Sequence, residues 1–311
     1  MIEISNLVKF YGDKRAVNGI SFTVNQGEIL GFLGPNGAGK STTMNIITGY
    51  LSATSGKVTI NGYDILEEPE LAKKNIGYLP EIPPLFMDMT VSEYLEYVAE
   101  LKKVPKDIRK KQIIDVMKMV HIGNVSGRLI HNLSKGYKQR VGIAQTLIGN
   151  PEVIILDEPT VGLDPNQVIE VRKLITSLSK NHTIIFSSHI LSEVQAICDR
   201  VIIINNGKIV ADAPTFELSS RVEDNVHYLL VVEAPFNTLQ MPLRAVPGVN
   251  SVRSLAEKNG ICQIDLACEG SMEVRKSISF AIARLNAPIL EFRSMEPSLE
   301  DVFTSITSPK K

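Results

Sequence analysis

The stretch Gly34-Pro35-Asn36-Gly37-Ala38-Gly39-Lys40-Ser41 constrains this chain more than any other. It satisfies the pattern G-x-x-x-x-G-K-[ST] at every fixed position. The apolar run Ile29-Leu30-Gly31-Phe32-Leu33 feeds into it, and a helix-compatible stretch from Lys40 to Thr48 leaves it. That strand–loop–helix setting is the one in which the pattern cradles phosphates. A triphosphate needs many donors at close range, and glycines let backbone N–H groups point inward without side-chain clash. The helix N-terminus adds the positive end of a dipole. In such a loop Lys40 reaches the β- and γ-phosphates and Ser41 holds Mg²⁺, with Thr42 counted among the nucleotide-binding residues. The flanking context disfavours the alternative, a glycine-rich turn with a chance Gly-Lys-Ser.

The chain has 311 residues, which makes two domains the expectation. With 44% hydrophobic residues it can bury a sizeable core. Lys and Arg number 33 against 34 Asp and Glu, so no general nucleic-acid-binding surface is expected. The three cysteines, Cys198, Cys262 and Cys268, form no C-x-x-C pair and read as reduced, buried thiols of a cytosolic protein. The N-terminal segment lacks the features of a signal peptide, and no apolar run approaches the roughly 18 residues of a spanning helix.

Short apolar runs alternate with helical stretches over residues 1 to about 220. Val153–Leu156, Thr183–Phe186 and Val201–Ile204 are continuous and rich in β-branched residues, as strands covered on both faces are. Helices at Gln167–Ser179 and Ile190–Ile197 separate them, which predicts an α/β fold with a parallel sheet. Residues of about 88–150 read instead as an inserted helical subdomain. Thr90-Val91-Ser92-Glu93 opens one helix as a capping box, and Ile113, Val116, Met117 and Val120 mark a second. Lys102-Lys103 and Arg109-Lys110-Lys111 read as solvated faces. Residues 221–311 predict a small α+β accessory domain of ferredoxin-like order β-α-β-β-α-β, with a hairpin at Asn259-Gly260. Its first helix, near Phe236–Arg244, is weakened by Pro242, and a closing helix is expected from Ser298.

A second constellation lies downstream. Val153–Leu156 runs into Asp157-Glu158, and chemistry in open α/β sheets collects at the carboxyl ends of strands. Asp157 suits Mg²⁺, directly or through water. Glu158 is placed to orient or deprotonate an attacking water. Beside a phosphate loop, this pair points to hydrolysis rather than to nucleotide binding alone.

Asn132-Leu133-Ser134-Lys135-Gly136-Tyr137-Lys138-Gln139-Arg140 resembles the signature segment of ATP-binding-cassette (ABC) ATPases. Gly162-Leu163-Asp164-Pro165 resembles the D-loop of that family, and Ser187-Ser188-His189 its switch histidine. The resemblance covers residues 1 to about 220. It implies a P-loop NTPase that binds ATP and Mg²⁺ between two head-to-tail subunits. Tyr11 would stack on adenine, and Ser134 and Gly136 would face the γ-phosphate of the other subunit. Asp164 would lie at the dimer face, and His189 would sense the γ-phosphate. Ser134 and Asp164 also read as plain helix N-caps.

Two departures stand out. Lys135 and Tyr137 replace the first of the paired glycines and the glutamine of the usual Leu-Ser-Gly-Gly-Gln. The segment Ile76–Glu81 carries Glu81 where the family usually has Gln, so an acceptor capable of binding Mg²⁺ replaces a group that both donates and accepts. Glu81 and the segment Glu296–Phe303 resemble bacterial export-type cassettes, with gliding-motility ATP-binding subunits nearest and multidrug exporters beside them. That branch implies a separately encoded membrane permease and a peripheral place on the cytoplasmic face of the membrane, with no nucleic-acid partner. The alternative is a soluble switch ATPase of the same family acting on ribosomes or DNA. Against it stand a single phosphate loop, no sustained heptads and no basic excess.

Overall fold

The computed structural model describes residues 1–215, 225–269 and 272–295. Its contacts divide the chain into two compact units, Met1–Thr215 and Phe216–Lys311.

Buried apolar runs build the central sheet of the first unit. Strands β3 (Ile29–Leu33), β7 (Val153–Asp157) and β8 (Thr183–Ser188) are buried at every residue. With β6 (Ile76–Leu79), β9 (Arg200–Asn205) and β10 (Lys208–Pro214) they form a sheet of order β10-β9-β3-β8-β7-β6. All its pairings are parallel except that of β9 with β10. The carboxyl ends of β3, β7 and β8 therefore open on one edge, where the phosphate loop, Asp157-Glu158 and His189 follow.

Sequence reading did not separate out a second sheet. Strands β1 (Ile2–Tyr11), β2 (Lys14–Val24), β4 (Ser55–Ile60) and β5 (Tyr63–Asp64) pair antiparallel in the order β2-β1-β4-β5. Its inner residues and α1 (Lys40–Ile47) share one core with the central sheet. There Ile2, Val17, Val24, Phe32, Met44 and Ile60 are wholly buried, and the rings of Phe22 and Phe32 lie 5.6 Å apart.

The helical segment contains α3 (Val91–Leu101), α4 (Lys106–Met119) and α5 (Lys135–Leu147), preceded by α2 (Pro69–Lys74) between β5 and β6. The capping box is formed: Glu93 N–H donates to Thr90 Oγ1 at 3.3 Å, and Thr90 N–H donates to Glu93 Oε2 at 2.8 Å. Two of the expected solvated charges are not solvated. Arg109 is buried, its guanidinium donating to Glu100 at 2.7 Å, to Glu96 at 3.2 Å and to the Val104 carbonyl at 3.1 Å. Lys102 reaches past the end of α3 to the C-terminal carbonyls of α5. In both cases a long apolar stem lies against the core while the charge finds partners at its end, which a run of basic letters does not reveal.

Two more helices belong to this unit: α6 (Pro165–Leu178) and α7 (Leu191–Ile197). The second unit follows the order β11 (Asn225–Val232), α8 (Phe236–Arg244), β12 (Val249–Lys258), β13 (Ile261–Glu269), α9 (Met272–Ala283) and β14 (Ile289–Met295). Its strands form one antiparallel sheet in the order β12-β13-β11-β14. The helix over Phe236–Arg244 forms despite Pro242, because Leu239 and Leu243 are wholly buried in the sheet's core with Leu230, Ile264, Leu266 and Ile278. All three cysteines are free and buried. The expected helix from Ser298 and the segment Glu296–Phe303 lie outside the described residues.

Candidate functional site

The phosphate loop is shaped by contacts that leave no room for side chains. A Cβ at Gly34 would collide with the carbonyl oxygen of Ile204 on β9. Gly39 sits at φ +113°, and a Cβ there would lie 2.6 Å from the Ala16 carbonyl oxygen. Gly34 therefore requires glycine on steric grounds, and Gly39 on both steric and conformational grounds. Gly39 caps α1, so the free N–H groups of the first turn face the loop.

Lys40 is 6% exposed, and its ammonium donates to the carbonyl of Gly34 at 2.8 Å. It also lies 3.4 Å from Glu158 Oε1. Glu158, likewise 6% exposed, places its other oxygen, Oε2, 2.8 Å from His189 Nδ1. One buried carboxylate thus links the phosphate loop to the segment after β8. Glu158 holds this position at φ +50°, unusual for a non-glycine residue. Its N–H donates to the hydroxyl and the carbonyl of Ser187, at 3.0 and 3.2 Å.

Asp157 ends β7 at 2% exposure and accepts from the Ser187 hydroxyl at 2.5 Å. Burial raises its pKa, and hydrogen bonds from Ser187 and Ser41 pull against that rise. A desolvated carboxylate whose close partners are hydroxyls suits a divalent cation. Among the described residues no cluster of three or more His, Cys, Asp or Glu forms a metal cage. Ser41 and Asp157 offer two oxygen donors, which fit Mg²⁺ when phosphates and water complete its shell.

A cleft of about 530 Å³ brings Lys40, Ser41, Glu158 and His189 together. Tyr11, Asn36, Gly37, Gly39, Lys40, Ser41, Thr42, Glu81, Glu158 and His189 line it. Lys14, Ala16 and Val161 line it too, and nothing in their local sequence marks them. Tyr11 is half exposed, with the Lys9 ammonium 5.5 Å from its ring centre.

Seven expected site residues are not among those lining the cleft. Gly34, Pro35, Ala38 and Asp157 are close sequence neighbours of residues that do line it, whereas Ser134, Gly136 and Asp164 belong to the segments that start α5 and α6. Those last three are locally fixed. Ser134 caps α5, accepting from Tyr137 N–H at 3.4 Å, and Asp164 caps α6, accepting from Gln167 N–H at 3.0 Å. A Cβ at Gly136 would lie 2.7 Å from the Gln167 side chain, so α5 and α6 start in close contact. The Lys135 ammonium abuts Gly162, filling space that a glycine in its place would leave open. Ser187, which holds both Asp157 and Glu158, was not singled out from the sequence. Ser187 stood within a quoted motif, but its partner is thirty residues away.

Comparison with known proteins places this geometry. The family model described as ABC transporter matches residues 17–161. The linearmycin resistance ATP-binding protein LnrL of Bacillus subtilis (strain 168) is 33% identical over 310 residues, 99% of this chain and 98% of that protein. The bacitracin transport ATP-binding protein BcrA of Bacillus licheniformis is 40% identical over 71% of this chain and 72% of its own length. An ATP-binding cassette solved as a dimer in a post-hydrolysis state with ADP and Pi matches with a TM-score of 0.63 and 26% identity. That match covers 69% of this chain and 99% of the cassette. A phosphate loop, an Asp-Glu strand end and a histidine joined in one cleft, in a chain so related along its whole length, identify the protein as a member of the ABC transporter family: an ATP-binding subunit and ATPase.

Proposed function

We propose that this chain is the motor subunit of a membrane exporter, hydrolysing Mg-ATP in a head-to-tail pair of cassettes and driving a separate permease. The observation that carries the reading is the Glu158 carboxylate, held between Lys40 at 3.4 Å and His189 at 2.8 Å in the cleft lined by the phosphate loop. Lys40 exchanges its bond to the Gly34 carbonyl for the β- and γ-phosphates. Freed of that cation, Glu158 accepts a proton from the attacking water, and His189 fixes the orientation of the carboxylate. Ser41 and Asp157 would hold Mg²⁺, which when bound would neutralise charge building on the phosphate oxygens. Tyr11 offers its exposed ring to the base.

Ser134, Gly136 and Asp164 serve the neighbouring copy's nucleotide. Their place away from this chain's own cleft supports that division of labour, as does the dimeric form of the cassette bound to ADP and Pi. Closure of the pair on ATP and separation after hydrolysis deliver the free energy, because ATP binds the closed state better than the open one. Export rather than import is supported by the relatives named for linearmycin resistance and bacitracin transport, which favour it more directly than the gliding-motility resemblance does. Among the described residues no helix is long and apolar enough to cross a membrane. In this reading the path for cargo belongs to the permease. The subunit then works at the cytoplasmic face, where ATP is.

Affinity purification of the full chain from its native membranes tests this role. A polytopic membrane protein retained after mild detergent supports it; ribosomes or DNA in its place would move the chain to the switch ATPases.

A further inference from the structure

Glu193 is one of the most deeply buried charged residues in the protein, at 3% exposure, and nothing above gives it a task. It stands on α7, four residues beyond His189. Its Oε2 accepts two hydroxyl hydrogen bonds, from Thr160 at 2.6 Å and from Ser188 at 2.9 Å. Its Oε1 lies 3.9 Å from Arg172 Nη2 on α6.

The two hydroxyl partners are informative because of what adjoins them. Thr160 sits two residues after Glu158, in a turn closed by Val161 N–H donating to the Glu158 carbonyl at 3.2 Å. Ser188 immediately precedes His189, and its hydroxyl also accepts from Ile190 N–H at 3.0 Å, which fixes the backbone around the histidine. One carboxylate oxygen therefore ties together the two segments that carry Glu158 and His189. A hydrogen bond between two side chains fixes distance only if the backbones behind them are fixed, and displacements of about 1 Å matter greatly in such sites. Burying a carboxylate is costly unless it is well bonded, and an apolar residue on α7 would fill the same space without that cost.

We infer that Glu193 is a positioning residue of the hydrolytic site, which sets the spacing of Glu158 and His189 by clamping Thr160 and Ser188 on one oxygen. The inference rests on the roles proposed above for Glu158 and His189. Arg172 extends the clamp to α6, whose N-terminus is capped by Asp164.

The test is a mutant cycle in the full chain with Mg-ATP, read with the ¹⁵N resonance of His189 Nδ1, which reports its bond to Glu158. Glu193→Ala is expected to lower kcat about tenfold while KM for ATP stays within about twofold. Thr160→Val, a milder change, acts in the same direction and moves the resonance. Glu193→Gln keeps an acceptor for both hydroxyls and retains most of kcat. In a His189→Ala background, Glu193→Ala costs less than about twofold more, because the relationship it maintains is already gone. Equal losses in both backgrounds with an unmoved resonance would overturn the inference, as would wild-type kcat in both Glu193→Ala and Thr160→Val. If His189→Ala alone turned over at the wild-type rate, the catalytic reading of His189 would fall. The resonance then decides separately: movement in Thr160→Val supports the clamp, and no movement rejects it.

Discussion

His189 Nδ1 lies 2.8 Å from one oxygen of Glu158, and the other oxygen of that carboxylate lies 3.4 Å from Lys40 Nζ. The same carboxylate is thus paired both with the cation of the phosphate loop and with the histidine that follows β8. In the mechanism proposed above, arriving phosphates compete for Lys40, so nucleotide entry itself would change the state of Glu158.

Asp157 carries a pH signature. Its pKa is raised, chiefly by burial, so the folded chain holds that proton more tightly than the unfolded chain does. The stability gained in the protonated state is complete below the unfolded pKa and is lost as pH rises through the folded value. Asp157→Asn mimics the protonated form. Without Mg²⁺ it should melt above the wild type at pH 7, and the gap should close as pH falls below the ordinary carboxylate range, while ATPase activity is lost. Thermal unfolding across that pH series is the check. A variant less stable than wild type at pH 7 would show that Asp157 is not strained by its burial.

Lys102 binds the carbonyls of Gln145, Thr146 and Ile148 at 3.2, 3.2 and 2.7 Å, closing the end of α5. Burial pushes its pKa down to about 8. Lys102→Met keeps the stem but strands those acceptors, at a cost of about 1–3 kcal/mol. Denaturant unfolding measures the loss, and an unchanged midpoint would mean that the carbonyls find other partners.

Gly34→Ala forces a methyl group toward the Ile204 carbonyl oxygen, 2.9 Å from Ile204 Cγ2 and 3.2 Å from Ala38 Cβ. A backbone oxygen in a central strand cannot move aside, so the loop must lift. The expected result is a loss of about 1–3 kcal/mol together with ATP binding weakened by at least about tenfold. Gly127→Ala, which meets nothing within 4 Å, should stay within about 0.5 kcal/mol of wild type. Calorimetric titration with ATP compares the two.

The parts of this site that were legible in the sequence are those whose physics is local. Phosphate binding demands glycines at fixed offsets before Lys40, and β7 announces itself because Val153–Leu156 is buried on both faces. The antiparallel sheet was harder. Bulges in β1 around Leu7 and Val8 break the period-two alternation that marks a half-buried strand. Arg109 reads as one of three surface cations until Glu96 and Glu100 are seen on the neighbouring helix. Glu193 was invisible because its partner Thr160 is 33 positions away and belongs to no recognised motif. The capping roles of Ser134 and Asp164 were readable; which molecule they face was not, because one chain does not contain the second.

The most direct measurement is sedimentation of Glu158→Gln with Mg-ATP, alongside its steady-state turnover. The expected result is ATP binding at wild-type affinity, turnover reduced by about 10²–10⁴-fold, and a stable species of twice the 34.3-kDa chain mass. Wild-type turnover by this variant would contradict it, and so would a population that remains monomeric when saturated with ATP.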